Sequence, residues 1–276
     1  FNRGTLMRFN PEVYRAKANI LSRQERLDEL LEGQLIRFAF QPIVSLKDGS
    51  IYGYEALMRS TTPHFASPLD VLQLAEAQSK LPQLEHMTFR MIFDWMGKNL
   101  PTLGARKIFF NAISAQYLDA RELRNLHPRY EDISRNMVFE IIETASSEEG
   151  LAQKVRELRA ELAAFIAIDD FGCAHSNALR LLNISPEILK IDSFFIRAIH
   201  KAPASKREFL SNILVYCRSK GILTVAEGVE TQEELASVIA LGFDLAQGFY
   251  LARPEFALQE LAPSQIEEIT AFRRTV

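Results

Sequence analysis

The stretch FAFQPIVSLKDGSIYGYEALM, Phe38 to Met58, decides the fold. It holds two apolar runs, FAFQPIV and SIYGYEALM, separated by Leu46-Lys47-Asp48-Gly49. Asp-Gly between such runs is a hairpin turn, and strands joined that tightly run antiparallel. Beyond Met58 the pattern changes. Short apolar runs recur as KIFFNAI, MVFEII, FIAIDD, ILKID, LTVAEG and LAQGFY, which brings the candidate strands to eight. Helical patterns such as LAQKVRELRAELAA and SKREFLSNILVYCRSKG lie between most of them. Strands alternating with helices imply a parallel sheet, and eight of them imply closure into a barrel. The expected fold is therefore α/β, a TIM-like (β/α)8 barrel with an antiparallel first strand, preceded by an N-terminal helix.

That helix is read from about Asn10 to Glu32, with Asn10 as N-cap, Pro11 at the first helical position and an apolar stripe of Ile20, Leu27, Leu30 and Leu31. Two readings stand side by side: a helix packed on the barrel, or a connector from an upstream module. The expected division is residues 1–34 as helical segment or connector and 35–276 as the barrel domain, with no second domain, internal repeat or low-complexity segment.

The 276 residues are 47% hydrophobic and 24% charged, a globular composition. A net charge of -3 and a pI near 6.0 argue against a partner that is a DNA or RNA polymer. Cys173 and Cys217 are the only cysteines, so no disulfide framework is expected and a reducing, cytoplasmic setting is. No apolar run reaches the roughly 18 residues of a spanning helix. The chain begins at Phe1 rather than Met. The expectation is a piece of a longer protein whose sensory or membrane-attached portion lies upstream.

In barrels of this type the chemistry sits at the C-terminal ends of the strands. Read there, the second run carries Glu55 and Arg59, on one face by the period of two. The third ends in Asn111, the fourth carries Glu140 and then Glu143, and the fifth ends in Asp169-Asp170. The sixth ends in Lys190 and Asp192, the seventh in Glu227 with Glu230 three residues on, and the eighth in Gln247. The reversed first run presents Gln41 near the same face. Singly, each has a plain explanation: a cap, a salt bridge, a surface lysine. Together, Glu55, Glu140, Asp169, Asp170 and Glu227 converge on one cavity with only Lys190 and Arg59 to balance them. Such a cluster protonates or is costly unless a cation compensates it. Carboxylate and amide oxygens without Cys or His suit Mg²⁺ or Mn²⁺, and the adjacent aspartates suit a bridge between two ions. Two such ions activate a water and stabilise the leaving oxygen of a phosphodiester. Lys190 can orient the water, Glu227 take its proton and Arg59 hold a phosphate. The residues alone point to metal-dependent phosphoester hydrolysis.

These pieces, in order QPIV, YGYEALMR, FFNAIS, FEIIET, IDDFG, LKID, AEGVE and QGF, resemble the EAL domain family of cyclic di-GMP phosphodiesterases over roughly Leu35 to Pro254. The resemblance implies a barrel with an antiparallel first strand and hydrolysis of cyclic di-GMP to linear pGpG with Mg²⁺ or Mn²⁺, inhibited by Ca²⁺. It implies Glu55, Asn111, Glu140 and Asp169 as ligands of one ion, Asp169 and Asp170 as ligands of a second, and a catalytic set of Lys190, Glu227 and Glu55. It implies substrate contacts at Gln41, Arg59 and Asp192, an active-site glutamine at Gln247, and Glu143 and Glu230 as anchors of the loop after the fifth strand. That loop takes part in dimerisation in the family, so a homodimer is expected.

The chain departs from the family pattern at Cys173, Ala174, His175, Ser176 and Asn177, where Ala174 replaces a glycine and His175 a tyrosine. Ser60 replaces a tryptophan, and the region from His64 to Glu85 is loose. No implied metal ligand is lost. An active phosphodiesterase ranks ahead of a silent cyclic di-GMP receptor and of a protein-interaction module on a barrel scaffold.

Overall fold

A computed structural model describes residues 25–112, 130–141, most of 152–160, 165–172 and 178–275. Eight strands close into one barrel in sequence order: β1 (Ile36–Ser45), β2 (Ile51–Ser60), β3 (Lys107–Ala112), β4 (Met137–Ile141), β5 (Phe165–Phe171), β6 (Ile188–Ile191), β7 (Leu223–Ala226) and β8 (Leu245–Ala246). β1 is antiparallel to both β2 and β8, and every other pair is parallel. The hairpin turns as its sequence requires. Gly49 takes a φ of 74°, and the Asp48 carboxylate accepts from the Ser50 N–H at 3.1 Å.

The barrel interior follows the period of two. Ile43, Phe109, Val138, Ala167, Ile188, Val225 and Leu245 form one buried apolar cluster inside it. Two residues further toward the mouth, the same inward positions read Gln41, Asn111, Glu140, Asp169, Lys190, Glu227 and Gln247. The apolar layer is thus a floor, and the polar layer above it is the site. The outward face of the strands packs under helices, including Leu81–Leu103, Ala204–Lys220 and Gln232–Leu241, in a larger cluster of Phe, Ile, Leu and Val.

The expected helices at 151–164 and 205–221 correspond to helical residues within 152–160 and to Ala204–Lys220. At the N-terminus, residues 25–32 are helical. Leu27 and Leu30 are fully buried in a cluster with Ile36, Val71, Ala75 and Leu84, so this part of the helix packs on the domain. Asn10, Pro11 and Ile20 lie outside the described residues.

Two strand readings need correction. β8 is two residues long, not the six of LAQGFY. The chain leaves the ladder at Gln247 because Gly248 runs against another backbone: the Val229 N–H donates to the Gln247 carbonyl at 3.1 Å, and Tyr250 N–H to the Val229 carbonyl at 3.0 Å. A Cβ at Gly248 would stand 2.0 Å from the Val229 carbonyl oxygen. Main chain cannot move aside as a side chain can. Gly248→Ala is therefore expected to cost about 3 kcal/mol, or roughly 5–10 °C in thermal midpoint. A midpoint within a degree of wild type by scanning calorimetry would contradict the packing. β7 likewise ends at Ala226, so Glu227 and Gly228 follow the strand rather than belong to it.

Candidate active site

A regular strand would send the side chains of Asp169 and Asp170 to opposite faces. Here β5 carries a bulge. Its register with β6 shifts between Ile168 and Phe171, and Asp170 adopts a left-handed φ of 54°. Aspartate is among the few non-glycine residues that tolerate this region. The extra residue lets Asp169 keep its inward position and Phe171 its outward, buried one, while Asp170 is turned to the mouth. Carboxylate oxygens of Asp169, Asp170 and Glu227 consequently lie within 4.8 Å of one another.

Lys190 stands at the centre. It is 1% exposed, and its Nζ lies 2.5 Å from Glu140 Oε1, 2.9 Å from Asp169 Oδ1, 2.9 Å from Glu227 Oε1 and 3.6 Å from Glu55 Oε2. Four strands, β2, β4, β5 and β6, and the residue that follows β7 contribute to this one contact set. Burial alone would lower the Lys190 pKa, but Asp169, Glu140, Glu227 and Glu55 hold it well above the usual lysine value. Burial raises Glu140 and Glu227 well above ordinary carboxylate values, against the opposing pull of Lys190.

Glu55 is fixed from three sides. Gln247 Nε2 donates to its Oε2 at 2.6 Å, Asn111 Nδ2 donates to its Oε1 at 3.3 Å, and Lys190 approaches Oε2. Gln247 Nε2 also donates to Gln41 Oε1 at 3.1 Å, and Gln41 Nε2 donates to the Ala252 carbonyl at 3.1 Å.

The sequence-predicted residues thus divide. Gln41, Glu55, Asn111, Glu140, Asp169, Lys190, Glu227 and Gln247 form one connected set, with Asp170 beside it. Arg59 sits at the rim, its Nη1 donating to the Met58 carbonyl at 2.8 Å, and no carboxylate among the described residues forms an ion pair with it. Partial burial lowers its pKa against the pull of Glu55, which places its charge in reach of the cluster. Asp192 caps the short helix Ser193–Ile196, accepting from the Phe194 N–H at 2.7 Å. Glu230 is exposed and paired with Arg197 beyond β6. Glu143 and residues 173–177 lie outside the described residues. The sequence reading missed Ala252, whose contribution is a main-chain carbonyl, and Arg197, whose pairing with Glu230 spans 33 positions. No residue-type pattern announces either.

The donor set fits divalent cations. Every candidate ligand offers oxygen. Five carboxylates face one buried ammonium. Glu140 is fully buried, and among the described residues its Oε2 has no hydrogen-bond partner. An orphaned, buried carboxylate oxygen is costly, and a hard cation relieves that cost.

Partial burial, then the Asp169 charge, push Asp170 up to about 6 from 3.8. A folded-state pKa above the unfolded one means that the folded, metal-free protein binds the extra proton. The stability this contributes is fully present below about pH 4 and is lost as pH rises through about 6. A displacement of this size corresponds to about 3 kcal/mol for a buried group, and solvent screening at this exposed position reduces it to about 1 kcal/mol. In EDTA, wild type is expected to lose that much relative to Asp170→Asn between pH 4.5 and pH 7 in urea unfolding. Parallel curves for the two proteins would remove the assignment.

The family model of the EAL domain matches residues 24–254. The chain belongs to the EAL domain family. Cyclic di-GMP phosphodiesterase PdeF of Escherichia coli (strain K12) is 29% identical over 250 residues, which are 88% of this chain and 33% of PdeF. The chain therefore spans about a third of that relative's length. Among solved structures, the Xanthomonas citri FimX EAL domain in complex with c-diGMP has a TM-score of 0.77 at 18% identity over 90% of this chain and 99% of its own, a likeness of fold. A manganese/cy-diGMP complex of Klebsiella pneumoniae BlrP1 has a TM-score of 0.69 at 27% identity, over 83% of this chain and 58% of its own. No helix among the described residues is long and apolar enough to cross a membrane.

Proposed function

We propose that this barrel hydrolyses cyclic di-GMP to linear pGpG with two divalent ions, Mg²⁺ or Mn²⁺. The observation that carries the reading is the convergence of Glu55, Glu140, Asp169 and Glu227 on the buried ammonium of Lys190, with Asp170 alongside. A site built to be this short of positive charge is suited to binding cations.

Glu55, Asn111, Glu140 and Asp169 would hold one ion and Asp169 with Asp170 the second. Asn111 donates through Nδ2 to Glu55, which leaves its carbonyl oxygen for a cation. When bound, the ions supply Lewis-acid stabilisation of the phosphoryl oxygens and a water acidic enough to be deprotonated near neutral pH. The protein side of the chemistry follows from the geometry. Glu227 accepts the proton of the attacking water, and burial, which raises its pKa well above the ordinary carboxylate range, makes it a stronger base than an exposed glutamate. Lys190, hydrogen-bonded to Glu227, orients that water and offsets charge as the P–O bond breaks. Arg59 offers its fork to a phosphate. Asp192, at the same mouth, contacts the substrate through whatever capacity its capping bond leaves.

The same reading carries inhibition by Ca²⁺, a homodimer, a cytoplasmic location, the division into residues 1–34 and a barrel from 35, and an upstream sensory or signalling module. It also carries Glu143 and Glu230 as anchors of the loop after β5. The deciding experiment incubates the purified protein with cyclic di-GMP and Mg²⁺ or Mn²⁺, with an EDTA control, and separates the products by chromatography. Linear pGpG formed only with metal is expected. Intact substrate with measurable binding would make the domain a receptor, and neither turnover nor binding would leave a scaffold.

A further inference from the structure

Gln41, Gln247 and Glu55 form a hydrogen-bond chain whose direction is set at both ends. At one end is the Ala252 carbonyl. Its position is held by main chain: the Ala252 N–H donates to the Gly248 carbonyl at 3.0 Å, and Glu255 exchanges backbone hydrogen bonds with Phe40 at 2.6 and 3.1 Å. A carbonyl only accepts, so Gln41 must turn Nε2 toward Ala252 and Oε1 toward Gln247. Gln247 must then answer with Nε2. Its two N–H groups go to Gln41 Oε1 at 3.1 Å and Glu55 Oε2 at 2.6 Å. At the far end Glu55, as a carboxylate, also only accepts, so both ends require the same orientation of both amides.

The backbone reinforces this. Pro42 confines Gln41 to an extended conformation, and Gln41 sits directly opposite Glu55 in the β1–β2 register. Gln41 is 7% exposed and Gln247 4% exposed. Among the described residues Gln247 Oε1 has no hydrogen-bond partner. Leaving it so is the cost of spending both N–H groups on the chain.

We infer that Gln41 is a positioning residue: through Gln247 it sets the orientation of the Glu55 carboxylate for the cation. The inference rests on the metal-dependent reading above. It transmits the geometry of a main-chain carbonyl, 211 positions away in sequence, to a metal ligand. Groups that orient a metal's ligands typically change metal affinity by about 10–100-fold when removed.

The test is Mn²⁺ binding to nucleotide-free protein, followed by electron paramagnetic resonance. The proteins compared are wild type, Gln41→Met, Gln247→Met and the double variant, each checked for folding by near-ultraviolet circular dichroism in EDTA. Gln41→Met is expected to weaken Mn²⁺ binding about tenfold. The double variant is expected to be no weaker than Gln247→Met within about twofold, because both break one chain. Should Gln41→Met not fold, Gln41→Asn, polar but too short to span both partners, is expected to show the same loss. Unchanged Mn²⁺ affinity in folded Gln41→Met, whatever its KM, would overturn the inference. Additive losses in the double variant would overturn it too. Wild type that binds no Mn²⁺ would sink the function proposal and the inference together.

Discussion

Lys190→Met is expected to lower the thermal midpoint of the metal-free protein by about 10 °C. Methionine matches the lysine in bulk, so the change is one of charge. It strips the compensating ammonium from Glu140, Asp169, Glu227 and Glu55. Removing one partner of a buried ion cluster costs about 3–5 kcal/mol, and about 2–4 °C accompanies each kcal/mol in a domain of this size. The sign with pH follows from the raised carboxylates. Glu140 and Glu227 titrate above their ordinary range through burial, and without Lys190 they move further up. Acid neutralises the cluster, so the deficit should shrink at pH 5 and grow at pH 8. Mn²⁺ should restore much of the midpoint, because a bound cation supplies the missing charge and binding to the native state stabilises it. Turnover should remain lost, since no side chain then orients the water beside Glu227. Differential scanning fluorimetry at three pH values, with EDTA or Mn²⁺, reads all of this. An unchanged midpoint in EDTA would mean that Lys190 does not neutralise the cluster.

Glu55→Ala is expected to have the opposite profile, an intact fold and no useful turnover. One carboxylate fewer relieves repulsion within the cluster, so the midpoint should stay within a few degrees of wild type. Turnover should fall about a thousandfold or more, since a metal ligand supports several kcal/mol of transition-state stabilisation. Gln247 and Asn111 would lose their common acceptor, and Mn²⁺ affinity should drop with the rate. Product analysis by chromatography, with circular dichroism as the fold control, tests this. Wild-type turnover in Glu55→Ala would remove Glu55 from the metal site.

The contrast between these two variants separates what neutralises the cluster from what holds the cation. A purely structural acidic cluster would lose stability with Lys190 and show no metal rescue. A metal site shows stability loss with metal rescue in Lys190→Met, and loss of Mn²⁺ affinity with an intact fold in Glu55→Ala.

The polar layer was readable from the chain because it depends on local periodicity. Phe109 and Asn111, Val138 and Glu140, Ala167 and Asp169, Ile188 and Lys190 are each two apart, and a strand puts such pairs on one face whatever surrounds it. Asp48-Gly49 fixed the direction of β1 for the same local reason. The eighth run was overread because LAQGFY is apolar enough for a strand, while the obstacle, the Val229 backbone against Gly248, comes from another part of the chain.

By itself, then, the sequence determined the strand count, the reversed first strand, the facing of the inner residues and the oxygen-only chemistry of the site. Only the tertiary structure decided that Asp170 turns to the mouth through a bulge, that Lys190 becomes the hub of four carboxylates, and that Ala252 sets the sense of the Gln41–Gln247–Glu55 chain. The physical reason is the range of the interactions. Periodicity and turn chemistry act over a few residues. A bulge's register, a buried ammonium's partners and the direction of an amide are set by groups that meet only once the barrel has closed.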